Sequence, residues 1–342
     1  MADLKLLEEL CSLYGVSGNE GPVRQKLCDL LTPFADRIET DALGNLLVYK
    51  QGKQRPKTRL MISAHMDEVG LIVTHITDDG LLKFATVGGI DNRILCGKQV
   101  MVNGHYGVIG GKPVHLMKGE EREKAVAVDD LSIDIGAMNR AQAEQAVSLG
   151  DTVGFVSGFD RFGNKVRARA LDDRAGCAIV AGLVQSELAY DMTFVFCVQE
   201  EIGLRGARVA AYQVQPQAAI VVECTTAADL SGVGAGKQVC RLGEGPVVPF
   251  MDRSTIYDRE YYELAFRLAR ENGLLCQTKQ RIAGGNDAGA IHVSRGGVRT
   301  VSVSVPCRYL HSPMGMIAQE DFDAAQTLTA LLAEHIAGHP AV

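Results

Sequence analysis

The sequence predicts an α/β protein: a mixed sheet flanked by helices, with an inserted β-rich, barrel-like segment. Three observations carry this prediction. Apolar runs of strand length alternate with stretches of helical period in both outer parts of the chain, as expected for a sheet covered by helices. Between about residues 68 and 162 the texture changes to short β-like runs broken by glycines. A chain of 342 residues, 46% hydrophobic and 22% charged, holds enough apolar residues for one large domain or two ordinary ones.

Taken in order, Leu4, Leu7, Cys11 and Tyr14 fall on one helical face, with Asp3 able to cap the start and Gly15 able to end it. A second helix is expected over 22–31, and NLLVYK (45–50) and RLMISA (59–64) read as strands. The middle segment supplies GLIVTHI, LLKFATVGG, KQVMVNG, GVIGG and DTVGFVS as β-like runs, and only NRAQAEQAVSLG (139–150) looks helical. From Arg167 the alternation returns: a helix over 173–188, a strand over 193–198, a short helix over 207–212 and a strand over 219–223. A helix over 259–271, a short helix from Asp287, a strand over 299–305 and a helix from Gln319 to about His335 follow. The expected organisation is a discontinuous α/β domain of residues 1–67 and 163–342, carrying the 68–162 insertion.

A formal net charge of −6 with no Lys/Arg cluster argues against a nucleic-acid surface. MADLKLLEELCSLYG has acids among its apolar residues and no continuous apolar core, so no signal peptide is expected there. No stretch is apolar enough for a membrane span. The nine cysteines are scattered and form no CxxC pair, and Cys177, Cys197 and Cys224 sit in apolar runs as small hydrophobes. The expected compartment is the reducing cytoplasm.

Ligands of open α/β sheets bind beyond the carboxyl ends of the strands. Five segments place ionisable residues at such ends: SAHMDEVG (63–70), ALDDRAGC (170–177), VQEEIGLRGA (198–207), VVECTTAAD (221–229) and RYLHSPMG (308–315). Each alone has an ordinary reading. Asp172 and Asp173 could cap a helix, Glu200 and Glu201 could be a solvated loop, and Glu223 could pair with an arginine. Together they would be five coincidences in one region. Two histidines with three or four carboxylates suit a pair of divalent ions sharing a bridging carboxylate. One further carboxylate must stay off the metals to take a proton from water. Adjacent residues leaving a strand point to different sides, which would let Glu200 and Glu201 divide these roles.

These motifs, with VSGNE (16–20), DDLSIDIGA (129–137), GPVVPFMDR (245–253), GGNDAGAIHVSRGG (284–297) and VPCRYLHSP (305–313), closely resemble the glutamyl/leucyl aminopeptidase family of dinuclear metallopeptidases, the tetrahedral or TET-type aminopeptidases. The likeness runs over nearly the whole chain. It implies that His65 ligates the first metal and Asp67 orients its imidazole, and that Asp172 bridges the ions and is joined to Asp173 by a cis peptide. It further implies that Glu200 is the general base, Glu201 and His311 hold the second metal, and Glu223 is the remaining carboxylate of the first. Glu223 and Asn286 depart from the pattern, which usually has Asp and Thr there. The resemblance also implies that the insertion is a dimerisation domain and that dimers assemble into hollow tetrahedral dodecamers.

The functional expectation is therefore a cytoplasmic metalloaminopeptidase that removes N-terminal residues from peptides. Its cofactors are two divalent ions per subunit, zinc first and cobalt or manganese as alternatives; its partners are peptide substrates and copies of itself, with no nucleic acid and no membrane. Competing readings are a deacylase or carboxypeptidase on the same scaffold and an assembly protein without activity. An endoglucanase is disfavoured, since a chain without tryptophan has poor sugar-stacking surfaces.

Overall fold

The structure is a computed structural model describing residues 3–340, apart from the side chains of residues 120 and 121. The chain opens with helices α1 (Leu4–Ser12) and α2 (Gly21–Leu31). Asp3 caps α1 by accepting from the backbone N–H groups of Lys5 and Leu6. The helix stops at Ser12, before the expected Gly15, whose N–H donates to the Glu68 carboxylate instead. Strands β1 (Arg37–Thr40), β2 (Leu46–Lys50) and β3 (Leu60–His65) follow. β1, with the polar sequence RIET, was not anticipated; it pairs with β2 at the sheet edge.

The middle of the chain forms strands β4 (Gly70–Ile76), β5 (Leu82–Val87), β6 (Gln99–Val102) and β7 (His105–Gly110), then helix α3 (Gly119–Arg122) and strand β8 (Ser132–Asp134). Helix α4 (Arg140–Glu144) and strand β9 (Thr152–Phe155) complete it. The six strands close into a barrel in the order β4-β5-β8-β7-β6-β9. Val73, Leu82, Phe84, Val100, Ile109, Ile133 and Val153 fill its interior. Closure removes the free edges that would invite pairing with other chains. The helix expected over 139–150 shrinks to one short turn capped by Asn139, because the chain must turn back at Gly150, whose N–H donates to the Val73 carbonyl.

The remaining elements are β10 (Asp160–Phe162), β11 (Lys165–Ala168), α5 (Leu171–Gln185), β12 (Met192–Cys197), α6 (Arg205–Val214) and β13 (Ala218–Thr226). They continue with α7 (Arg259–Glu271), α8 (Ala288–Ile291), β14 (Arg299–Cys307), β15 (Gly315–Ala318) and α9 (Gln319–Gly338). The main sheet runs β1-β2-β12-β3-β13-β14, and its β12, β3, β13 and β14 are mutually parallel. A small antiparallel sheet, β10-β11-β15, joins the segment after the barrel to the C-terminal region.

Strand alternation assigns the two faces. Leu60, Ile62, Phe194, Phe196, Ile220 and Val222 pack against α1, α2, α5, α7 and α9, whereas Met61, Val195, Cys197, Ala219 and Val221 pack against the alanines of α6 and α8. Each fully buried Phe or Leu contributes roughly 1.5–3 kcal/mol, so Phe196→Ala would cost about 3–5 kcal/mol. Among the described residues no helix is long and apolar enough to cross a membrane.

Candidate metal centre

The parallel strands carry their ionisable residues to one end of the sheet. His65 is the last residue of β3, level with Cys197 of β12. The β3–β13 register, Ser63 opposite Val221, continues to bring His65 beside Glu223. Neither alignment is local in sequence; both follow from apolar strands stacking side by side.

α5 begins with a break that divides the two aspartates. Asp172 (φ −87°, ψ 106°) and Asp173 (φ −121°, ψ 44°) are non-helical and joined by the implied cis peptide. Asp173 turns inward: its Oδ1 accepts from Gly176 N–H at 2.9 Å, a helix cap, and its Oδ2 accepts from His65 N–H at 3.2 Å. A Cβ at position 176 would lie 2.3 Å from that carboxylate, so only glycine admits the capping geometry. Asp172 is left facing the cavity. Capping, one of the ordinary readings of this pair, is thus right for Asp173 alone.

The Asp172 carboxylate lies between two histidines. Its Oδ1 is 3.4 Å from His65 Nε2 and its Oδ2 is 3.4 Å from His311 Nε2. Glu223 Oε1 is 3.0 Å from His65 Nε2, and Glu201 Oε2 is 3.2 Å from His311 Nε2. The result is two His–carboxylate pairs sharing one aspartate. All five residues that the resemblance implies as ligands meet here, and His65, Asp172 and Glu201 present ligand atoms within 4.8 Å of one another.

The outer nitrogens show what belongs between these groups. His65 Nδ1 is 3.1 Å from the Asp67 carbonyl and 3.3 Å from Asp67 Oδ1; His311 Nδ1 is 3.0 Å from the Gly89 carbonyl. A carbonyl only accepts, so each Nδ1 carries a proton and each Nε2 turns its lone pair toward carboxylates. Lone pair against carboxylate is repulsive unless a cation lies between. The carboxylates make the site attract positive charge: they raise the His65 pKa well above its usual value against the effect of burial, and raise His311 to about 9. Asp172 Oδ1 and Glu223 Oε2 are buried and have no hydrogen-bond partner. Unpartnered buried carboxylate oxygens facing imidazole nitrogens fit a borderline divalent ion.

Glu200 and Glu201 lie beyond the end of β12, where Gln199 adopts φ 56°, so strand alternation is not what separates them. The Asp67 carboxylate does that: Oδ1 accepts from Glu200 N–H at 2.9 Å and Oδ2 from Glu201 N–H at 3.1 Å, while Ser17 donates to Oδ2 at 2.6 Å. Gly206 closes the turn, because a Cβ there would sit 2.3 Å from both the Val198 carbonyl and Asn45. Burial raises the Glu200 pKa well above normal, His65 opposes this, and Glu223, Asp287 and Glu201 add to it. Burial, then Asp172, pushes Glu201 to about 8.

Asp287 and Lys279 carried no assigned chemical role in the sequence reading. Asp287, in the NDAGA segment, is buried with neither oxygen partnered, and burial raises its pKa to about 8. Its signals in the sequence are an acid amid small residues and its place in the GGNDAGAIHVSRGG block. The cavity in front of the centre holds about 330 Å³.

A histidine- and carboxylate-lined cavity at the strand ends of an α/β sheet covered by helices on both faces has the make-up of a metal-dependent enzyme's site. The M42 glutamyl aminopeptidase family profile matches residues 44–328, and the chain belongs to that family. It is 37% identical over 325 residues to a putative aminopeptidase of Acetivibrio thermocellus, covering 94% of this chain and 96% of that one. It is 32% identical to the lysyl aminopeptidase of Pyrococcus furiosus (98% of each chain) and to the glutamyl aminopeptidase of Lactococcus lactis (97% of each). Among solved structures, a TET aminopeptidase from a marine-sediment Thaumarchaeota archaeon superposes with a TM-score of 0.93 at 32% identity, over 97% of this chain and 96% of that one. The Pyrococcus horikoshii TET1 peptidase, described as assembling into a tetrahedron or a large octahedral shell, superposes with a TM-score of 0.84 at 33% identity, over 98% and 99%.

Proposed function

We propose that this chain is a two-metal aminopeptidase in which His65, Asp172 and Glu223 hold one ion, and His311, Glu201 and Asp172 the other. The observation carrying this reading is the Asp172 carboxylate set between two imidazole Nε2 atoms, with its Oδ1 buried and without a hydrogen-bond partner. Two divalent ions, zinc first and cobalt or manganese as alternatives, would supply Lewis acidity and a lowered water pKa. Glu200, free of the shared histidines and raised in pKa, accepts the proton of the attacking water and delivers it to the departing amine. Asp67 fixes the His65 ring and the backbone of both glutamates, so one carboxylate sets the base relative to the ligands.

In this reading residues 1–67 and 163–342 form the catalytic domain, and the barrel-bearing 68–162 segment forms a dimerisation domain. Dimers then build a dodecamer of the kind solved for TET relatives. The compartment is cytoplasmic, in keeping with nine free cysteines. The test is metal analysis with turnover of aminoacyl, N-acyl and C-terminal reporter peptides, before and after chelation and resupply of Zn²⁺, Co²⁺ or Mn²⁺. Cleavage of the free-amine reporters, lost on chelation and regained with metal, supports the proposal. Preference for N-acyl or C-terminal reporters replaces it with a deacylase or carboxypeptidase.

A further inference from the structure

We propose that Glu20 is a positioning residue for the general base: its buried carboxylate holds the backbone turn that aims Glu200 into the metal cavity. The inference rests on the aminopeptidase reading and adds a residue to it. Four consecutive backbone N–H groups follow β12, and each finds a different side-chain oxygen. Val198 N–H donates to Asn45 Oδ1 at 2.9 Å and Gln199 N–H to Glu20 Oε1 at 3.2 Å. Glu200 N–H donates to Asp67 Oδ1 at 2.9 Å and Glu201 N–H to Asp67 Oδ2 at 3.1 Å. The carbonyls of the same turn have local partners: Gly206 N–H donates to Val198, Arg205 N–H to Gln199, and the Gly203 and Leu204 N–H groups to Glu200. The turn closes on itself through its carbonyls and depends on distant side chains through its N–H groups.

Gln199 is the residue of this run that most needs holding. It adopts φ 56°, a left-handed conformation that is costly for a residue with a side chain and persists only where neighbours fix it. Relaxation at that one residue would swing Glu200 away from the ligands. Glu20 is 3% exposed and is itself braced. The same Oε1 accepts from Gly18 N–H at 2.7 Å, and the residue is the N-cap position of α2. Val16 bridges Glu68, and the Ser17 hydroxyl donates to Asp67 Oδ2, so segments 16–20 and 66–68 form one support beneath the turn. Both bonds to Glu20 converge on one oxygen, which a glutamine amide also offers. Ordering N–H groups requires only that acceptor, whereas a role through charge would require the ionised carboxylate.

The experiment measures kcat, KM and metal content of the metal-loaded wild type, Glu20→Ala, Glu20→Asp and Glu20→Gln on a free-amine reporter peptide. Deuterium exchange of the backbone over 198–204 and the unfolding midpoint are read on the same samples. Glu20→Ala is expected to lower kcat by about 10–100-fold, the scale of a catalytic group misplaced by about 1 Å, with KM little changed and both metals retained. Glu20→Asp, one methylene short of Gln199, should lose activity in the same way, and Glu20→Gln should stay close to wild type. Exchange over 198–204 should quicken by about 10-fold or more in the alanine and aspartate variants and stay slow in the glutamine variant. If Glu20→Ala does not fold, the aspartate and glutamine variants decide. A lowered midpoint with unchanged kcat, a loss of metal, or a glutamine variant as impaired as the alanine one overturns the proposal. If the wild type cleaves no free-amine reporter, the aminopeptidase reading fails, and exchange judges Glu20 alone: faster exchange in Glu20→Asp but not in Glu20→Gln upholds its hold on the turn, and equal exchange overturns it.

Discussion

The end of β3 and the segment 66–68 after it serve two buried acid sites whose charges are handled in opposite ways. On one side the Glu68 carboxylate is met by Arg169 and Arg174 and by Gly15 N–H, and the two guanidiniums also donate to the Cys11, Leu13 and Leu10 carbonyls. Arg169 further stacks over Tyr14, 4.3 Å from the ring centroid. On the other side Asp172, Glu200, Glu201 and Glu223 share two histidines and no arginine or lysine within ion-pairing distance among the described residues. In the first site the one carboxylate is paired with two guanidiniums, and the cluster holds α1 against the start of α5. The second holds excess negative charge in a low-dielectric setting, which is favourable only if protons or added cations enter it.

The comparison breaks most readily at Glu200. Glu200→Gln should lower kcat by ~10²–10⁴ while both metals stay bound, because the amide keeps the shape and loses the base. Glu201→Gln should instead reduce metal content. Metal analysis alongside steady-state kinetics of the two variants checks this, and the opposite pattern would reverse the two roles.

Glu68→Gln tests the side paired with arginine. It strands Arg169 and Arg174 in the interior and should destabilise the fold by about 3–5 kcal/mol, read as a fall in the denaturation midpoint. An unchanged midpoint would mean that the two sites do not differ as described.

Glu223→Ala should weaken metal affinity by roughly 10–100-fold, measured by titration against a chelator. Glu223→Asp should weaken it less, since the shorter acid keeps the charge and falls short only in reach.

The smallest expected effect is a graded one with pH. Glu201 is raised from 4.5 to about 8 and His311 from 6.5 to about 9 in the metal-free protein. Both folded-state pKa values lie above their unfolded values, so their contribution to stability is full at low pH and is lost as pH rises through about 8 to 9. The unfolding midpoint of chelated protein should therefore drift down across pH 5–9, and bound metal should flatten the drift. A midpoint that rises over that window would contradict the account.

Much of this was legible because it is one-dimensional. Apolar runs that end in His65, Glu200 or Glu223 announce strands that deliver charge to a sheet edge, and the period of 259–271 marks α7 to the residue. The polar β1, the three-residue β8 and the small sheet β10-β11-β15 were not legible, since short strands rich in polar residues are fixed by the neighbours they pair with. The site divides in the same way. The sequence by itself determined which acids and histidines are available and that they leave strand ends. Only the tertiary structure decided that Asp172 faces both histidines while Asp173 caps a helix, and that Asp67 divides Glu200 from Glu201. It alone brought the Gly89 carbonyl to His311, and Glu20 to the Gln199 N–H. The physical reason is that each of those facts is a distance between segments far apart in the chain, set by the packing of β3, β12 and β13 and by the docking of the barrel, and no local preference encodes it.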